Sequence, residues 1–196
     1  MNDAKRIVTV METGDGSKEL RELFLLTDVD ESGSVSNEEW ASGVADNAEL
    51  CGKLFGANRS KESLLRVFQR LLPPHCADTG MTWEQFEVGV GSLRVSLAMG
   101  VAMSTEEGEQ MLKQLFDTLD KDKSGSVDVS EWSRGVEENR VKVAKLFGVA
   151  TQAEIAAAFA RIDTDGDGML TWAEFVSGAA RFTAAPPPAP ADAAAE

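Results

Sequence analysis

The chain has 196 residues, and its 33 acidic against 19 basic side chains leave a net charge of −14. That sign argues against nucleic acid or anionic lipid as a partner and for a basic helix or a basic protein surface. A single histidine, two cysteines and the lack of any long apolar run leave no material for a disulfide scaffold or a membrane-spanning helix. With no nucleophile–base pair and no phosphate-cradling glycine loop, catalysis is not expected.

Residues 1–16 read as an N-terminal extension. Their apolar run is five residues long, too short for a signal peptide, and position 2 is Asn rather than an acylated Gly, so a cytoplasmic location is expected. Leu20, Leu23 and Phe24 then recur at helical spacing, and the helix they predict runs into DVDESGSVSNEE at 28–39. A hard cation of calcium's size takes six to eight oxygens at about 2.3–2.6 Å, and a twelve-residue turn supplies them from positions 1, 3, 5, 7, 9 and 12. Here those positions are Asp28, Asp30, Ser32, Ser34, Ser36 and Glu39, with Gly33 at the sharp bend. Ser36 and Glu39 also form a capping box, so the last ligands start the next helix.

After NAELCGKLFG (47–56), read as an extra helical turn that packs Leu54 and Phe55, a second unit begins with Leu65 and Phe68. Its loop, within FQRLLPPHCADTGMTWEQF (68–86), has lost the ligands. Pro73 and Pro74 stand where the first ligands belong, Asp78 is the loop's sole carboxylate, and Gln85 replaces the final Glu. This unit is expected to fold without binding. Cys51 and Cys76 read as free thiols, and His75 beside Cys76 as an ordinary loop residue. The stretch 88–103, VGVGSLRVSLAMGVAM, carries Arg94 as its one charge. It reads as buried between two halves of the molecule; a surface covered by a partner is the alternative.

The second half repeats the first. Helical spacing at Leu112, Leu115 and Phe116, capped by Ser104 with Glu107, leads into DKDKSGSVDVSE at 120–131. Its oxygens come from Asp120, Asp122, Ser124, Ser126, Asp128 and Glu131, and Asp120 lies 92 residues after Asp28. The same offset relates EEW at 38–40 to SEW at 130–132 and KLFG at 53–56 to KLFG at 145–148, a duplication of a whole two-loop unit. Leu146 and Phe147 answer Leu54 and Phe55. Thr151 with Glu154 caps a helix marked by Ile155, Phe159 and Ile162, which enters DTDGDGMLTWAE at 163–174. Asp163, Asp165, Asp167, the Met169 carbonyl, Thr171 and Glu174 fill every slot of D-x-[DN]-x-[DN]-G-x5-E. From Thr183 the chain is Pro/Ala-rich and reads as an extended or disordered tail.

Three such loops on a duplicated frame resemble the EF-hand superfamily of calmodulin-like and sarcoplasmic-type calcium-binding proteins, over roughly residues 17–182. The resemblance implies an all-α fold of two lobes in one compact body, each lobe a pair of EF-hands. Within each pair the position-8 residues, Val35 with Met81 and Val127 with Leu170, would form a short antiparallel bridge. The expected organisation is an extension at 1–16, an N-terminal pair at 17–92, an apolar inter-lobe segment at 93–104, a C-terminal pair at 105–182 and a tail at 183–196. The resemblance further implies about three Ca2+, with Mg2+ at rest left open, and a calcium sensor that engages a basic or amphipathic helix or an assembly surface. A calcium buffer and a constitutive subunit of a larger assembly are the alternatives. Met99, Met103, Met111 and Met169 would line a sensor's groove or fill a core. Counting Asp128, the third and fourth loops each offer four acidic side chains and the first offers three, so the C-terminal pair is expected to bind more tightly.

Overall fold

The computed structural model describes residues 3–56, 59–73, 76 and 79–183. Pro74, His75, Asp78 and the tail beyond Thr183 lie outside the described residues. The order of elements is α1 (Asp3–Met11), α2 (Gly14–Thr27), β1 (Ser34–Val35), α3 (Asn37–Asp46), α4 (Ala48–Phe55), α5 (Lys61–Leu71), β2 (Met81–Thr82) and α6 (Trp83–Ala102). The second half continues with α7 (Glu106–Leu119), β3 (Ser126–Asp128), α8 (Val129–Glu138), α9 (Arg140–Phe147), α10 (Gln152–Ile162), β4 (Met169–Thr171) and α11 (Trp172–Thr183). The fold is all-α, with two small antiparallel sheets pairing Val35 with Met81 and Val127 with Leu170. All four of these residues are fully buried, as position 8 requires.

Each half closes over an aromatic core built the same way. Trp40 of α3 stacks on Phe68 at 4.7 Å between ring centres and donates its indole N–H to the Leu64 carbonyl at 3.3 Å. Trp132 of α8 meets Phe159 edge-on at 5.6 Å and donates to the Ile155 carbonyl at 3.1 Å. The buried indole thus keeps a hydrogen bond in both halves, which removes the cost of hiding its polar edge. The entering-helix residues Leu20, Leu23, Phe24, Phe68, Leu112, Leu115, Phe116, Ile155, Phe159 and Ile162 are buried, and Leu65 is partly so. The segments after the first and third hands are two-turn helices rather than single turns. α4 buries Leu54 and Phe55, and α9 buries Phe147 with Leu146 partly covered.

α6 joins the halves. It runs unbroken from the second hand through the apolar stretch, with Val90 and Leu93 in one core and Val95 and Met99 in the other. A helix apolar on all sides must be enclosed, and α6 packs most extensively on α10 and α11, with α1 and α9 also against it. Its buried Ser92 and Ser96 donate to the Gly89 and Ser92 carbonyls, so no hydroxyl is left without a partner. At Gly91 an added Cβ would lie 1.9 Å from the Glu154 carboxylate, which shows how closely α10 approaches.

Two details differ from the sequence expectations. The cap of α7 is Thr105, not Ser104: Thr105 is extended and its Oγ1 accepts from the Gly108 amide at 3.1 Å. Ser104 instead donates to the Val101 carbonyl at the end of α6, so Glu107 completes no capping box. The extension also contains a helix. α1 buries Ala4, Ile7, Val8 and Val10 in the first core, and Arg6 donates to the Leu54 carbonyl at the end of α4 at 2.8 Å.

Candidate metal centres

Each of the three candidate loops hangs between a helix end and a strand, and its backbone folds the carboxylates inward. At position 6, Gly33, Gly125 and Gly168 have φ of 80°, 88° and 81°, a conformation that disfavours a Cβ. Their amides donate to the position-1 aspartates, Gly33 to Asp28 at 2.9 Å, Gly125 to Asp120 at 3.0 Å and Gly168 to Asp163 at 3.0 Å. The Ser32 and Ser124 amides each bond both the position-1 and position-3 carboxylates. The turn therefore aims two acids into one space.

Position 12 closes the ring from the exiting helix. Glu131 accepts from the Lys121 amide at 2.8 Å and the Asp128 amide at 3.1 Å, and Glu174 from Thr164 at 3.2 Å and Thr171 at 3.1 Å. Glu39 accepts from the Ser36 amide at 2.9 Å. In consequence Asp28, Asp30 and Glu39 each bring an oxygen within 4.8 Å of one another, as do Asp120, Asp122 and Glu131, and Asp163, Asp165 and Glu174. Oxygens on a sphere of about 2.4 Å radius, the calcium–oxygen distance, are never farther apart than about 4.8 Å. Each trio falls inside that limit, as one ion touching all three would require.

The remaining predicted ligands are placed around these trios. Ser32 and Ser124 donate to the position-7 carbonyls of Ser34 and Ser126 at 3.0 Å each, which gathers two further oxygens. Asp167 accepts from the Met169 amide at 2.8 Å and is not in the tight trio. Ser36, Asp128 and Thr171 act as N-caps, accepting from Glu39, Glu131 and Glu174. Those bonds complete capping boxes that fasten each last ligand to the first turn of its helix.

Position 5 sets the charge state. Hydrogen bonds from the side chain and amide of Ser32 hold Asp30 below the ordinary Asp range, and Ser124 does the same for Asp122. In the fourth loop the Asp167 amide pulls Asp165 down, but burial and the charges of Asp167, Glu174 and Asp163 outweigh it and leave Asp165 raised. Amide and hydroxyl bonds from Thr171, then Thr164, hold Glu174 low. The three-aspartate loop thus stores like-charge repulsion that a divalent cation relieves.

The second hand keeps the frame, and among its described residues no acidic cluster forms. Thr82 and Gln85 form a capping box, Gln85 accepting from the Thr82 amide at 2.9 Å, which a glutamine does as well as a glutamate. The S/T-x-x-Q spacing carried that signal, and the replacement of the ligand Glu hid it. Gly80, with φ of 77°, lies so close to β1 that a Cβ would meet the Val35 backbone at 2.8 Å. Ser34 of the first loop donates to the Thr79 carbonyl at 2.9 Å. Cys51 and Cys76 are buried free thiols, and burial raises Cys51.

Paired helix–loop–helix units with three candidate acidic metal loops define an EF-hand calcium-binding protein. An EF-hand domain pair matches residues 109–180. Calhepatin from Lepidosiren paradoxus is 37% identical over 68 residues, 35% of this chain and 81% of that protein. The chain belongs to the EF-hand family. Calcium-dependent protein kinases 34 and 17 of Arabidopsis thaliana are each 25% identical over 181 residues, 90% of this chain, which spans 29% of their length. Among the described residues no single helix is long and apolar enough to cross a membrane.

Proposed function

We propose that the chain is a cytoplasmic calcium-responsive regulator that binds three Ca2+ through loops 28–39, 120–131 and 163–174 and changes conformation to engage a protein partner. The ligands in this reading are the oxygens at positions 1, 3, 5, 7, 9 and 12 of each loop, the position-7 carbonyl included. No catalysis of its own is assigned to the chain. One observation carries the reading: the second hand keeps its strand pairing and its capping box although its loop has Leu72 and Pro73 near the first ligand positions and Gln85 in place of the final Glu. A chain selected only for calcium capacity gains nothing from that loss, whereas a regulator keeps the hand for its geometry.

Two further facts support it. Leu25, Leu26 and Val29 are exposed by 61%, 50% and 74% beside the first loop, where the duplicated half has Asp117, Thr118 and Lys121. At these three positions the N-terminal lobe therefore offers apolar side chains where its counterpart has polar ones. The long match to kinases named as calcium-dependent also fits a regulatory use of the ion. The test is a calcium titration of the stripped protein with magnesium present, following tryptophan emission and an apolar dye together. A regulator takes up dye at micromolar calcium; a tryptophan response without added dye binding identifies a buffer or a closed subunit.

A further inference from the structure

In the three ligand-bearing hands the entering helix ends on an aspartate, Asp28, Asp120 or Asp163. That is a negative charge at the negative end of a helix. α5 ends on Leu72 instead, and its last carbonyls meet a cation from the other lobe. Arg161 of α10 donates through Nε to Ser92 Oγ at 2.7 Å, through Nη1 to the Arg70 carbonyl and through Nη2 to the Leu71 carbonyl at 3.2 Å. Burial lowers this guanidinium to about 10, which leaves it charged at neutral pH. The other end of α10 is fastened as well. Arg94 of α6 donates to the Val149 carbonyl at 2.6 Å and pairs with Glu154 at 3.3 Å.

These bonds join two calcium loops through described structure. Arg161 lies two residues before Asp163, the first ligand of the fourth loop. On the far side, Phe68 lies two residues before Arg70 and stacks on Trp40, which directly follows Glu39, the last ligand of the first loop. α6, which carries Ser92, follows directly on β2, and β2 pairs with β1 of the first loop.

We propose that Arg161 is a positioning residue that couples the fourth calcium loop to the first, with the ligand-free second hand as the relay. The inference rests on the ligand assignment proposed above. When calcium draws Asp163 and Glu174 together, the end of α10 shifts. The guanidinium fork passes the shift to α5 and α6, and through Phe68 and Trp40 to Glu39. Lysine, a single point charge, has no planar fork to hold a hydroxyl and two carbonyls at once. The relay also gives the second hand a use that does not require it to bind.

Calcium titrations of the 15N-labelled full chain by NMR test this. The Gly33, Gly125 and Gly168 amides each donate to the first aspartate of their own loop, so three resonances report three sites separately. Glu174→Gln is expected to abolish the Gly168 response and to shift the Gly33 midpoint to calcium about fivefold or more higher. In an Arg161→Met chain the same Glu174→Gln change leaves the Gly33 midpoint where it was, and the cycle of four proteins isolates the coupling. Should Arg161→Met not fold, Arg161→Lys supplies the same cycle. A Gly33 midpoint indifferent to Glu174→Gln in the parent, with Gly168 silenced, overturns the coupling and leaves the ligands standing. Coupling that survives the Arg161 change overturns the role given to Arg161. A Gly168 response untouched by Glu174→Gln overturns the ligand assignment itself.

Discussion

In the fourth hand Asp163, Asp165 and Glu174 converge to within 4.8 Å, while the second hand has Leu72, Pro73 and Gln85 in the corresponding stretch. Yet both hands keep a buried position-8 residue in a strand pair, a capping box at the exiting helix and a phenylalanine against a buried tryptophan. The difference separates two sets of residues that a binding hand normally mixes. Pairing, capping and aromatic packing make the hand; the carboxylates make the site. A hand can therefore lose ligand positions and keep its strand pairing, its cap and its aromatic packing.

The largest expected effect falls on binding. Glu174→Gln breaks the oxygen pair that closes the fourth loop and should abolish measurable binding at that site, while Gln85→Glu should not create one in the second hand. Calorimetric titration of both variants checks this, and a new site in the Gln85→Glu protein would erase the distinction drawn here.

Next comes packing. If the second hand is as integral as the fourth, Phe68→Ala and Phe159→Ala should each cost about 3–5 kcal/mol in chemical denaturation of the calcium-free protein. A much cheaper Phe68→Ala would mean the second hand is only loosely attached. Caps matter less: Thr82→Ala should cost about 1 kcal/mol, similar to Thr171→Ala without calcium.

The smallest effect is in titration. Asp165 should protonate above the ordinary Asp value of 3.8, and Asp30 and Asp122 below it. A raised carboxyl disfavours the folded state while charged, so its cost at neutral pH disappears as pH falls through its folded pKa. The two lowered carboxyls contribute stability above their unfolded pKa and lose it as pH falls through their folded values. Carboxyl 13C shifts of the calcium-free chain across acid pH give the order directly, and Asp165 titrating with Asp122 would contradict the role given to position 5.

The loops were legible because ligand chemistry asks for oxygen-bearing side chains at positions 1, 3, 5, 9 and 12 and the bend for glycine at position 6, and the duplication because 92 residues separate matching segments such as KLFG. Other features were less legible for particular reasons. The helix in the extension is written in the spacing of Ala4, Ile7, Val8 and Met11, but so short a run cannot be told from a mobile leader until a core is available to cover it. Ser104 and Thr105 are adjacent hydroxyls, and the exit of the chain from α6 decides which one caps. Arg161 could not be assigned from pattern at all, since its partners at Arg70, Leu71 and Ser92 lie 91, 90 and 69 residues away.

The number of ions held is the most direct test of the account. Equilibrium dialysis of the stripped chain against labelled calcium should saturate at three per molecule, and at two when Glu174→Gln is introduced. Saturation at four would show that the second hand binds, and saturation below three in the parent would show that the acidic cages do not all close on calcium.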